Sequence, residues 1–360
     1  MSKKLSSKNI VVIACAGSGK TTHIVEEALK LKDKQILIST YTNENIDQIK
    51  DFFIINNGCI PETITIQSWF SFLLREGVRP YQNYMTDKKR VKSVFFQTKS
   101  SPYHRKNYYL SPSNYIYSNK VSEFAFECDK KSNGKIINRL EKIYSTIFID
   151  ELQDFAGYDL SFLERLFKSK INIVMVGDPR QATFTTNTSQ KNKQHRKINI
   201  YSWLKEKKSK NEISIKEINE SYRCNQRICD FADSLFPNFP KTKSKNYIST
   251  KHDGVFCIPP NEVKEYISKH NPTVLRYNKN VNTHGFPAIN IGLSKGRTFD
   301  RVLIFPTKPM IEYINLGNQI KAGDKSKFYV AVTRSKYSVA FVLNKIGQTI
   351  PMFPAKKIHP

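Results

Sequence analysis

A short glycine-rich segment near the amino terminus carries the residue types needed to bind phosphate groups. It reads Ala14-Cys15-Ala16-Gly17-Ser18-Gly19-Lys20-Thr21 and follows Ile10–Ala14, a β-branched apolar run typical of a buried strand. Two glycines let the backbone curl so that N–H groups point at phosphate oxygens, and the helix that follows adds a favourable dipole. Lysine offers charge to the terminal phosphates, and threonine offers a hydroxyl to Mg²⁺. The segment predicts a nucleotide site at Ala16, Gly17, Ser18, Gly19, Lys20, Thr21 and Thr22.

Two adjacent acids follow a later apolar strand pattern. Thr146–Ile149 is continuously hydrophobic or β-branched, and Asp150-Glu151 comes directly after it. In a parallel sheet that also carries a phosphate-binding loop, such a pair has defined tasks. We expect Asp150, with Thr21, to hold Mg²⁺ and Glu151 to orient the water that attacks the γ-phosphate. The alternative is a strand that ends in two solvated acids.

The charge of the chain points to a polyanionic partner. Lysine and arginine number 58 against 31 acidic residues among 360, a formal net charge of +27. Such an excess favours nucleic acid, although a lysine-rich composition alone could produce it. The six cysteines are scattered singly, which argues against disulfides or zinc, and no apolar stretch is long enough to span a membrane. We therefore expect a cytoplasmic protein with reduced thiols.

Apolar runs alternate with helical patterns along most of the chain, which predicts an α/β fold with parallel, doubly wound sheets. The strand patterns occupy residues 10–14, 35–40, 146–149, 171–176, 255–258, 273–276, 288–291, 302–305 and 339–343. The helical patterns include residues 21–32, 45–53 and 225–235. Because the alternation restarts after a polar, lysine-rich stretch, we expect two domains, residues 1–205 and 206–360.

One segment, at about residues 80–142, interrupts this alternation and is named here the Tyr/Lys-rich segment. We expect it to be a small basic insertion in the first domain and a second wall for nucleic acid. Its basic clusters are Lys88-Lys89-Arg90 and His104-Arg105-Lys106, and its tyrosines include Tyr103, Tyr108, Tyr109, Tyr115 and Tyr117.

Eight short segments, in order, resemble the motifs of superfamily 1 DNA helicases of the UvrD/Rep group. The match spans residues 14 to 336, nearly the whole chain. After the phosphate-binding loop, the segments are Thr40-Tyr41-Thr42-Asn43, Thr65-Ile66-Gln67-Ser68-Trp69-Phe70, Asp150-Glu151-Leu152-Gln153-Asp154, Val176-Gly177-Asp178-Pro179-Arg180-Gln181, Ser221-Tyr222-Arg223, Ser294-Lys295-Gly296 and Tyr329-Val330-Ala331-Val332-Thr333-Arg334-Ser335-Lys336.

The resemblance implies two RecA-like P-loop NTPase domains with ATP and Mg²⁺ as cofactors, the nucleotide lying in the cleft between them. Glu151, Gln181, Arg223 and Arg334 would be catalytic, the two arginines neutralising charge during phosphoryl transfer. Gln153 and Gly296 would join the nucleotide-binding residues. Gln153 and Gln181 would sense the γ-phosphate.

The resemblance also implies contacts with single-stranded DNA, including duplex with a single-stranded tail. The residues concerned are Thr40, Tyr41, Thr42, Asn43, Trp69 and Phe70. Aromatic rings stack on bases irrespective of sequence, at roughly 1–3 kcal/mol per base. For Trp69 and Phe70, packing in the core is the alternative.

The sequence departs from the UvrD/Rep pattern at several positions. No glutamine precedes Gln35, so strict adenine specificity is not implied, and Thr298 stands where these helicases carry glutamate, which leaves the direction of travel open. A base-stacking aromatic after the third motif is not obvious, since Phe184 is present but Thr186 stands near the expected position. The short connection between residues 276 and 288 leaves no room for the large accessory domain.

Our leading interpretation is an ATP-dependent translocase or helicase on single-stranded DNA. A second hypothesis is an ATPase subunit that senses DNA or nucleotide and regulates a partner nuclease in phage defence or repair, with little unwinding of its own. A nucleic-acid binder with an inactive ATPase is a third. A small-molecule kinase would share the phosphate-binding loop but would have no use for the motif at residues 40–43 or the two late arginines.

Overall fold

The computed structural model describes residues 8–86, 90–96 and 108–343. These residues form two units, each built on a parallel sheet flanked by helices. Within the described part, unit 1 comprises residues 8–13, 20–179 and 184–217, and unit 2 comprises residues 14–19, 180–183 and 218–343. The division therefore keeps residues 206–217 in unit 1, whereas the sequence pattern predicts a domain boundary after residue 205.

Unit 1 is an α/β layer structure around a six-stranded sheet. The strands of unit 1 are β1 (Ile10–Ala14), β2 (Ile36–Thr40), β3 (Ile64–Ser68), β4 (Val94–Phe95), β5 (Ile116–Tyr117), β6 (Thr146–Ile149), β7 (Asn172–Gly177) and β8 (Ser214–Ile218), of which β4 and β5 form a separate two-stranded sheet. Its helices are α1 (Lys20–Leu29), α2 (Asn43–Asn57), α3 (Trp69–Phe72), α4 (Val121–Lys131), α5 (Lys135–Ile143), α6 (Tyr158–Phe167) and α7 (Ile200–Ser209), with a π-helical stretch at Leu73–Val78.

The strand order of the main sheet in unit 1 is β3-β2-β6-β7-β1-β8. β2 pairs in parallel with β3 and with β6, and β7 pairs in parallel with β6 and with β1. All five residues of β2 are buried, as expected for a parallel strand that is covered on both faces. The predicted parallel, doubly wound sheet is confirmed.

Local sequence signals fix the ends of α2. Thr42 has an extended backbone, and its hydroxyl accepts the N–H of Asn45 at 3.2 Å, an N-cap contact. Gly58 ends the helix in the left-handed conformation, and its N–H donates to the Ile54 carbonyl at 2.9 Å. Helix α2 therefore begins directly after the motif at residues 40–43.

Part of the Tyr/Lys-rich segment belongs to the core of unit 1. Phe124 and Cys128 of α4 and Ile136 and Leu140 of α5 are fully buried in the same apolar cluster as the strand residue Leu37. The two helices thus pack into the core of unit 1 rather than forming a peripheral lobe. Lys88, Lys89, Tyr103 and the cluster His104-Arg105-Lys106 lie outside the described residues.

The described tyrosines of this segment mostly pack inward. The Tyr108 hydroxyl donates to Glu123 at 2.8 Å, and Lys120 bonds the other oxygen of that carboxylate at the same distance. The Lys120 ammonium also lies 3.6 Å from the centre of the Tyr108 ring. Tyr117 is buried and Tyr109 half-buried. These rings therefore stabilise the segment, and the expectation that they form a wall for nucleic acid is not supported by their burial.

Unit 2 repeats the α/β arrangement around a five-stranded parallel sheet of order β11-β15-β14-β12-β13. The strands of unit 2 are β9 (Glu220–Ser221), β10 (Lys243–Ser244), β11 (Gly254–Ile258), β12 (Thr273–Arg276), β13 (Ile289–Asn290), β14 (Phe299–Phe305) and β15 (Ser335–Val342), of which β9 and β10 form a separate two-stranded sheet. Its helices are α8 (Gln226–Ser234), α9 (Val263–His270), α10 (Lys308–Leu316) and α11 (Ala322–Val332).

None of the helices in residues 8–86, 90–96 and 108–343 has the length and apolarity that crossing a membrane requires. All six cysteines are free thiols, and five of them are buried.

Two histidines of unit 2 stack against each other beside an aromatic pair. The rings of His252 and His270 are 3.8 Å apart, and His252 also stacks on Phe256 at 4.2 Å. Nε2 of His252 lies 2.9 Å from the Tyr266 hydroxyl. Burial, followed by the positive charges of His270 and Arg301, lowers the pKa of His252 to about 4.

This histidine pair predicts that acid destabilises unit 2. The unfolded chain binds a proton at His252 near pH 6.5, whereas the folded chain keeps this ring neutral down to about pH 4. The stability it contributes is therefore complete above pH 6.5 and declines as the pH falls towards 4. We expect the urea midpoint, followed by circular dichroism at pH 7 and pH 5, to fall less with pH in His252→Phe, which stacks but does not titrate.

The control is His284→Asn, because His284 is an exposed histidine of the same unit. It should keep the pH dependence of the unmodified protein, and the nearby Asp253 and Lys269 charges are common to all three proteins. Equal pH dependence in His252→Phe and the unmodified protein would contradict the assignment.

Candidate functional site

The glycine-rich loop, Ala14–Gly19, has the backbone that phosphate binding requires. Gly17 and Gly19 have φ values of 76° and 77°, a left-handed conformation that glycine adopts without strain. The Ser18 hydroxyl oxygen is buried and has no hydrogen-bond partner among the described residues. Buried hydroxyls are normally paired, so this atom fits a site that a phosphate oxygen would complete.

Within unit 2 the same loop packs against the segment Ser221–Arg223. The Ser221 hydroxyl donates to the Ala16 carbonyl at 2.8 Å, and the Tyr222 N–H donates to the Gly17 carbonyl at 2.9 Å. A Cβ atom at Gly17 would lie 2.5 Å from Cβ of Arg223 and 2.7 Å from Oγ of Ser221. Only glycine therefore fits here, both for its φ and for this close approach.

The two predicted arginines and Gln181 lie in unit 2. Arg334 is almost fully buried, and its Nη2 donates to Oε1 of Gln181 at 3.0 Å. Its other nitrogens donate to the carbonyls of Val330 at 3.2 Å and Arg297 at 3.3 Å. Arg223 is half-buried and donates to the Thr333 carbonyl at 3.1 Å. The structure thus joins Gln181 directly to Arg334, and Gly296 precedes the residue whose carbonyl holds that arginine.

The acid pair lies in unit 1 at the end of β6, and a glutamine amide connects it to β7. Oδ1 of Asp150 accepts the N–H of Glu151 at 2.8 Å, while Glu151 has a φ of 56°. Gln153 is fully buried; its Nε2 donates to the Glu151 carboxylate, and its Oε1 accepts the Asp178 N–H at 3.0 Å. A non-glycine residue with positive φ is strained, and such residues are frequent at functional sites. Gln153 therefore positions Glu151, and its predicted contact with nucleotide stays a prediction.

Mg²⁺ would fit the residues that the sequence analysis assigned to it. Lys20, Thr21 and Thr22 form the first turn of α1, and Asp150 follows β6. Among the described residues, no group of three or more histidine, cysteine, aspartate or glutamate side chains could hold a metal ion. One carboxylate and one hydroxyl are a small protein ligand set, which is typical of Mg²⁺ that completes its shell with phosphate oxygens and water.

Four aromatic rings form a row, named here the aromatic row, at one edge of the sheet in unit 1. Tyr41 lies 5.2 Å from Phe70 and 5.2 Å from Phe184, and Phe70 lies 5.8 Å from Phe96. Phe96 and Phe184 are 71% and 49% exposed, whereas Tyr41 and Phe70 are half-buried. Exposed apolar surface that continues across several rings is a common feature of binding surfaces.

Phe96 and Phe184 were not among the predicted nucleic-acid residues. Phe184 follows Gln181 closely in the chain, so its proximity to a motif was an available signal. Phe96 lies in the Tyr/Lys-rich segment, far in sequence from Phe70, and no local pattern singled it out.

The expectation that Trp69 stacks on bases is wrong. Its side chain is fully buried and packs against Phe155 and Phe162, with ring centres 4.8 and 6.2 Å away. Its Nε1 donates to Oδ1 of Asp159 at 2.7 Å, and the hydroxyl of Thr186 donates to Oδ2 at 2.6 Å. Burial raises the pKa of Asp159, and the hydrogen bonds from Thr186, Trp69 and Ser122 oppose that rise. Trp69 and Thr186 therefore stabilise the core of unit 1 through their hydrogen bonds to Asp159.

The motif at residues 40–43 is placed partly inside and partly on the surface. Thr40 is buried, and its Oγ1 accepts from Nδ2 of Asn45 at 3.1 Å. Thr42 and Asn43 are exposed at the first turn of α2. A helix amino terminus of this kind is favourable for a phosphate group.

The burial of Trp69 leads to a prediction about stability. In Trp69→Phe the Asp159 carboxyl loses an N–H donor in a site without solvent, so we expect a loss of about 1–3 kcal/mol in the free energy of unfolding. Urea denaturation followed by circular dichroism measures it. Trp203→Phe is the matched control, because Trp203 is also buried but donates at 3.3 Å to Glu164, which is partly exposed. A loss in Trp69→Phe no larger than that in the control would contradict the role of the Asp159 contact.

Comparison with known proteins gives two family matches and several similar structures. The family described as an AAA domain matches residues 1–187, and that described as a viral superfamily 1 RNA helicase core domain matches residues 122–343. Comparison with curated proteins gives no match.

Three of the similar structures are helicases of viruses. Arterivirus nonstructural protein 10 (helicase) has a TM-score of 0.50 at 14% identity, over 94% of this chain and 60% of that one. A complex of that helicase with DNA has a TM-score of 0.49 at 14% identity, over 94% and 61%. The PRRSV helicase has a TM-score of 0.45 at 15% identity, over 94% and 53%.

The chain thus spans between 53% and 61% of the length of these helicases. The first of these similarities supports the RecA-like α/β fold, which the sheet orders of both units also show. Each family match extends over more than half of the chain, and the second contains the acid pair, Gln181 and both arginines. The chain therefore belongs to the families of the AAA domain and the viral superfamily 1 RNA helicase core domain.

Proposed function

We propose that the chain is an ATP-dependent motor that translocates along single-stranded nucleic acid, with DNA as the expected polymer. The observation that carries the proposal is the shared edge of the sheet in unit 1. Lys20, Asp150 and Tyr41 each follow the carboxyl end of a strand of one parallel sheet, β1, β6 and β2 respectively. Because parallel strands end at the same edge, the nucleotide residues and the aromatic row share one face of the unit.

The order of the strands separates the two tasks along that edge. β3 and β2, which precede Phe70 and Tyr41, are adjacent, and β6, β7 and β1 follow them in the sheet. Hydrolysis residues thus stand over one part of the sheet and stacking residues over the other. This arrangement favours a protein in which nucleotide binding and hydrolysis are coupled to the binding of nucleic acid. A small-molecule kinase would have no evident use for it.

The catalytic roles proceed from the geometry of unit 1. The left-handed backbone of Glu151 and the amide of Gln153 hold its carboxylate in place, which suits a general base that orients water. Lys20 supplies positive charge to the phosphates. Thr21 and Asp150 would hold Mg²⁺, which would help to neutralise the negative charge that develops on the phosphates.

Arg223 and Arg334 of unit 2 are proposed to stabilise charge during phosphoryl transfer. Gln181 holds the Arg334 guanidinium by one direct hydrogen bond, and backbone carbonyls hold the remaining nitrogens. A guanidinium fixed in this way loses little conformational entropy when it meets an anion. Preorganised charge of this kind is among the largest sources of rate acceleration in enzymes.

The closer affinity to UvrD/Rep helicases remains part of the proposal. It is supported by the ordered motifs from residue 14 to residue 336, whereas the family match is to viral RNA helicase cores. Thr298, which differs from the UvrD/Rep pattern, suits the opposite-polarity branch of superfamily 1. The choice between DNA and RNA is therefore built into the first experiment.

The decisive measurement is steady-state ATP hydrolysis without polymer and with single-stranded DNA or RNA of the same sequence. We expect at least a tenfold stimulation by polymer, abolished in Lys20→Ala, because the lysine charge is needed at the phosphates. Stronger stimulation by RNA than by DNA would identify RNA as the polymer on which the protein acts. Turnover indifferent to both polymers would overturn the motor and favour a sensing subunit that acts with a partner nuclease.

Glu151→Gln tests the general base separately from binding. The amide keeps the size of the side chain but cannot accept a proton, so we expect hydrolysis to fall by about 10² to 10⁴-fold with ATP affinity retained. Glu26→Gln is the control, because Glu26 is an exposed residue of α1. Turnover within about twofold of the unmodified protein would remove Glu151 from this role.

A further inference from the structure

Two polar side chains without hydrogen-bond partners among the described residues lie on β2 and β3, the strands that precede Tyr41 and Phe70 of the aromatic row. Gln67 is only 7% exposed, and neither Oε1 nor Nε2 of its amide has a hydrogen-bond partner among the described residues. Ser39 is fully buried, and its Oγ likewise has no partner in that part of the chain. A buried amide usually forms all or most of its hydrogen bonds, since leaving them unmade costs free energy. Such a pair suits a site that a ligand completes.

The register of the sheet places Gln67 and Ser39 side by side. Ser39 of β2 is paired with Gln67 of β3, and the next pair along is Thr40 with Ser68. Neighbouring residues in a parallel register point to the same face, and side chains two apart on one strand share a face. Ser39 therefore faces the same side as Leu37, which belongs to the apolar cluster against which Tyr41 and Phe70 pack.

The two rings stand directly beyond this pair in the chain. Tyr41 follows Ser39 by two residues, Phe70 follows Gln67 by three, and the rings are 5.2 Å apart. Both rings are half-buried. Rotation of one ring would expose the Gln67 amide and the Ser39 hydroxyl to a flat ligand that stacks on the other ring.

We propose that Gln67 and Ser39 form the polar floor of a nucleobase site, in which the amide reads the edge of a base stacked on Tyr41 or Phe70. A glutamine amide offers one acceptor and two donors, which match the edges of bases, as in its bidentate pairing with adenine. Single-stranded nucleic acid is read in this way when unstacked bases lie on aromatic side chains. The motor would then prefer some bases to others, and Gln67 would determine that preference. The inference rests on the proposed function.

The floor is also connected to the hydrolysis residues within unit 1. The backbone carbonyl of Ser39 accepts the N–H of Asp150 at 2.9 Å. A base that binds Ser39 is thus linked through one backbone hydrogen bond to Asp150, the predicted Mg²⁺ ligand. Binding of a base would therefore shift the position of the acid pair.

The test compares affinities for homopolymers of one length. Fluorescence anisotropy with 20-residue adenine, cytosine and thymine (or uracil) oligonucleotides gives the spread between the tightest and weakest dissociation constants. We expect the three dissociation constants of the unmodified protein to differ measurably. In Gln67→Met the ratio of the weakest to the tightest constant should fall by roughly fivefold or more, since a bidentate base contact contributes about 1–3 kcal/mol of discrimination. Phe70→Ala should weaken the binding of all three oligonucleotides, but it should reduce the differences between their dissociation constants less than Gln67→Met does.

Thermal unfolding of the same variants distinguishes recognition from a structural role. Methionine has a similar volume and no unpaired polar atoms, so Gln67→Met should unfold at an unchanged or higher temperature. An unchanged spread in Gln67→Met, equal affinity of the unmodified protein for all three oligonucleotides, or a lowered unfolding temperature with the spread intact would each overturn the nucleobase site alone. Absence of binding to every oligonucleotide by the unmodified protein would overturn the proposed function together with it.

Discussion

Parallel pairing about β2 is the constraint on which the arrangement of unit 1 depends. This strand pairs with β3 on one side and β6 on the other, and all three run in the same direction. Tyr41, Phe70 and Asp150, which are distant in sequence, consequently emerge at one edge. The fully buried residues of β2 keep this register, since a slip by one residue would turn every side chain to the opposite face.

A few hydrogen bonds then set the position of the acid pair on that edge. Glu151 has a left-handed backbone, a conformation that costs of the order of 1–3 kcal/mol in a residue other than glycine. The N–H of Glu151 is held by Asp150 and its carboxylate by Gln153, which in turn is held by Asp178. Gly177 has no side chain where Gln153 approaches β7, and a Cβ atom there would collide with that amide. The strain is thus supported by contacts with two neighbouring strands.

Much of the fold was accessible from local pattern. The strands Thr146–Ile149 and Thr273–Arg276 were predicted with the bounds that the structure has, because continuous apolar runs between polar turns are typical of parallel strands. The Tyr/Lys-rich segment was less accessible. Its composition suggested a basic lobe, but the apolar faces of α4 and α5 complete the core of unit 1, and only tertiary packing shows what those faces cover.

The candidate site shows the same division between local and tertiary information. Motif residues singled out the glycine-rich loop and the acid pair, since the chemistry proposed for them requires particular side chains at fixed spacing. Adjacent aromatics could not be separated in this way, because the direction of the short helix α3 decides that Trp69 is buried while Phe70 stays partly exposed. The missing partners of Gln67 are likewise a property of its surroundings rather than of the motif that contains it.

The positions of the two tryptophans have a practical consequence for spectroscopy. Trp69 and Trp203 are the only two in the sequence, and both belong to unit 1. Excitation at wavelengths that only indole absorbs therefore yields fluorescence from unit 1 and none from unit 2. Emission and circular dichroism recorded on one sample would separate the melting of the two units without a label or a truncation, and any shift caused by a ligand could be attributed to the unit that responds.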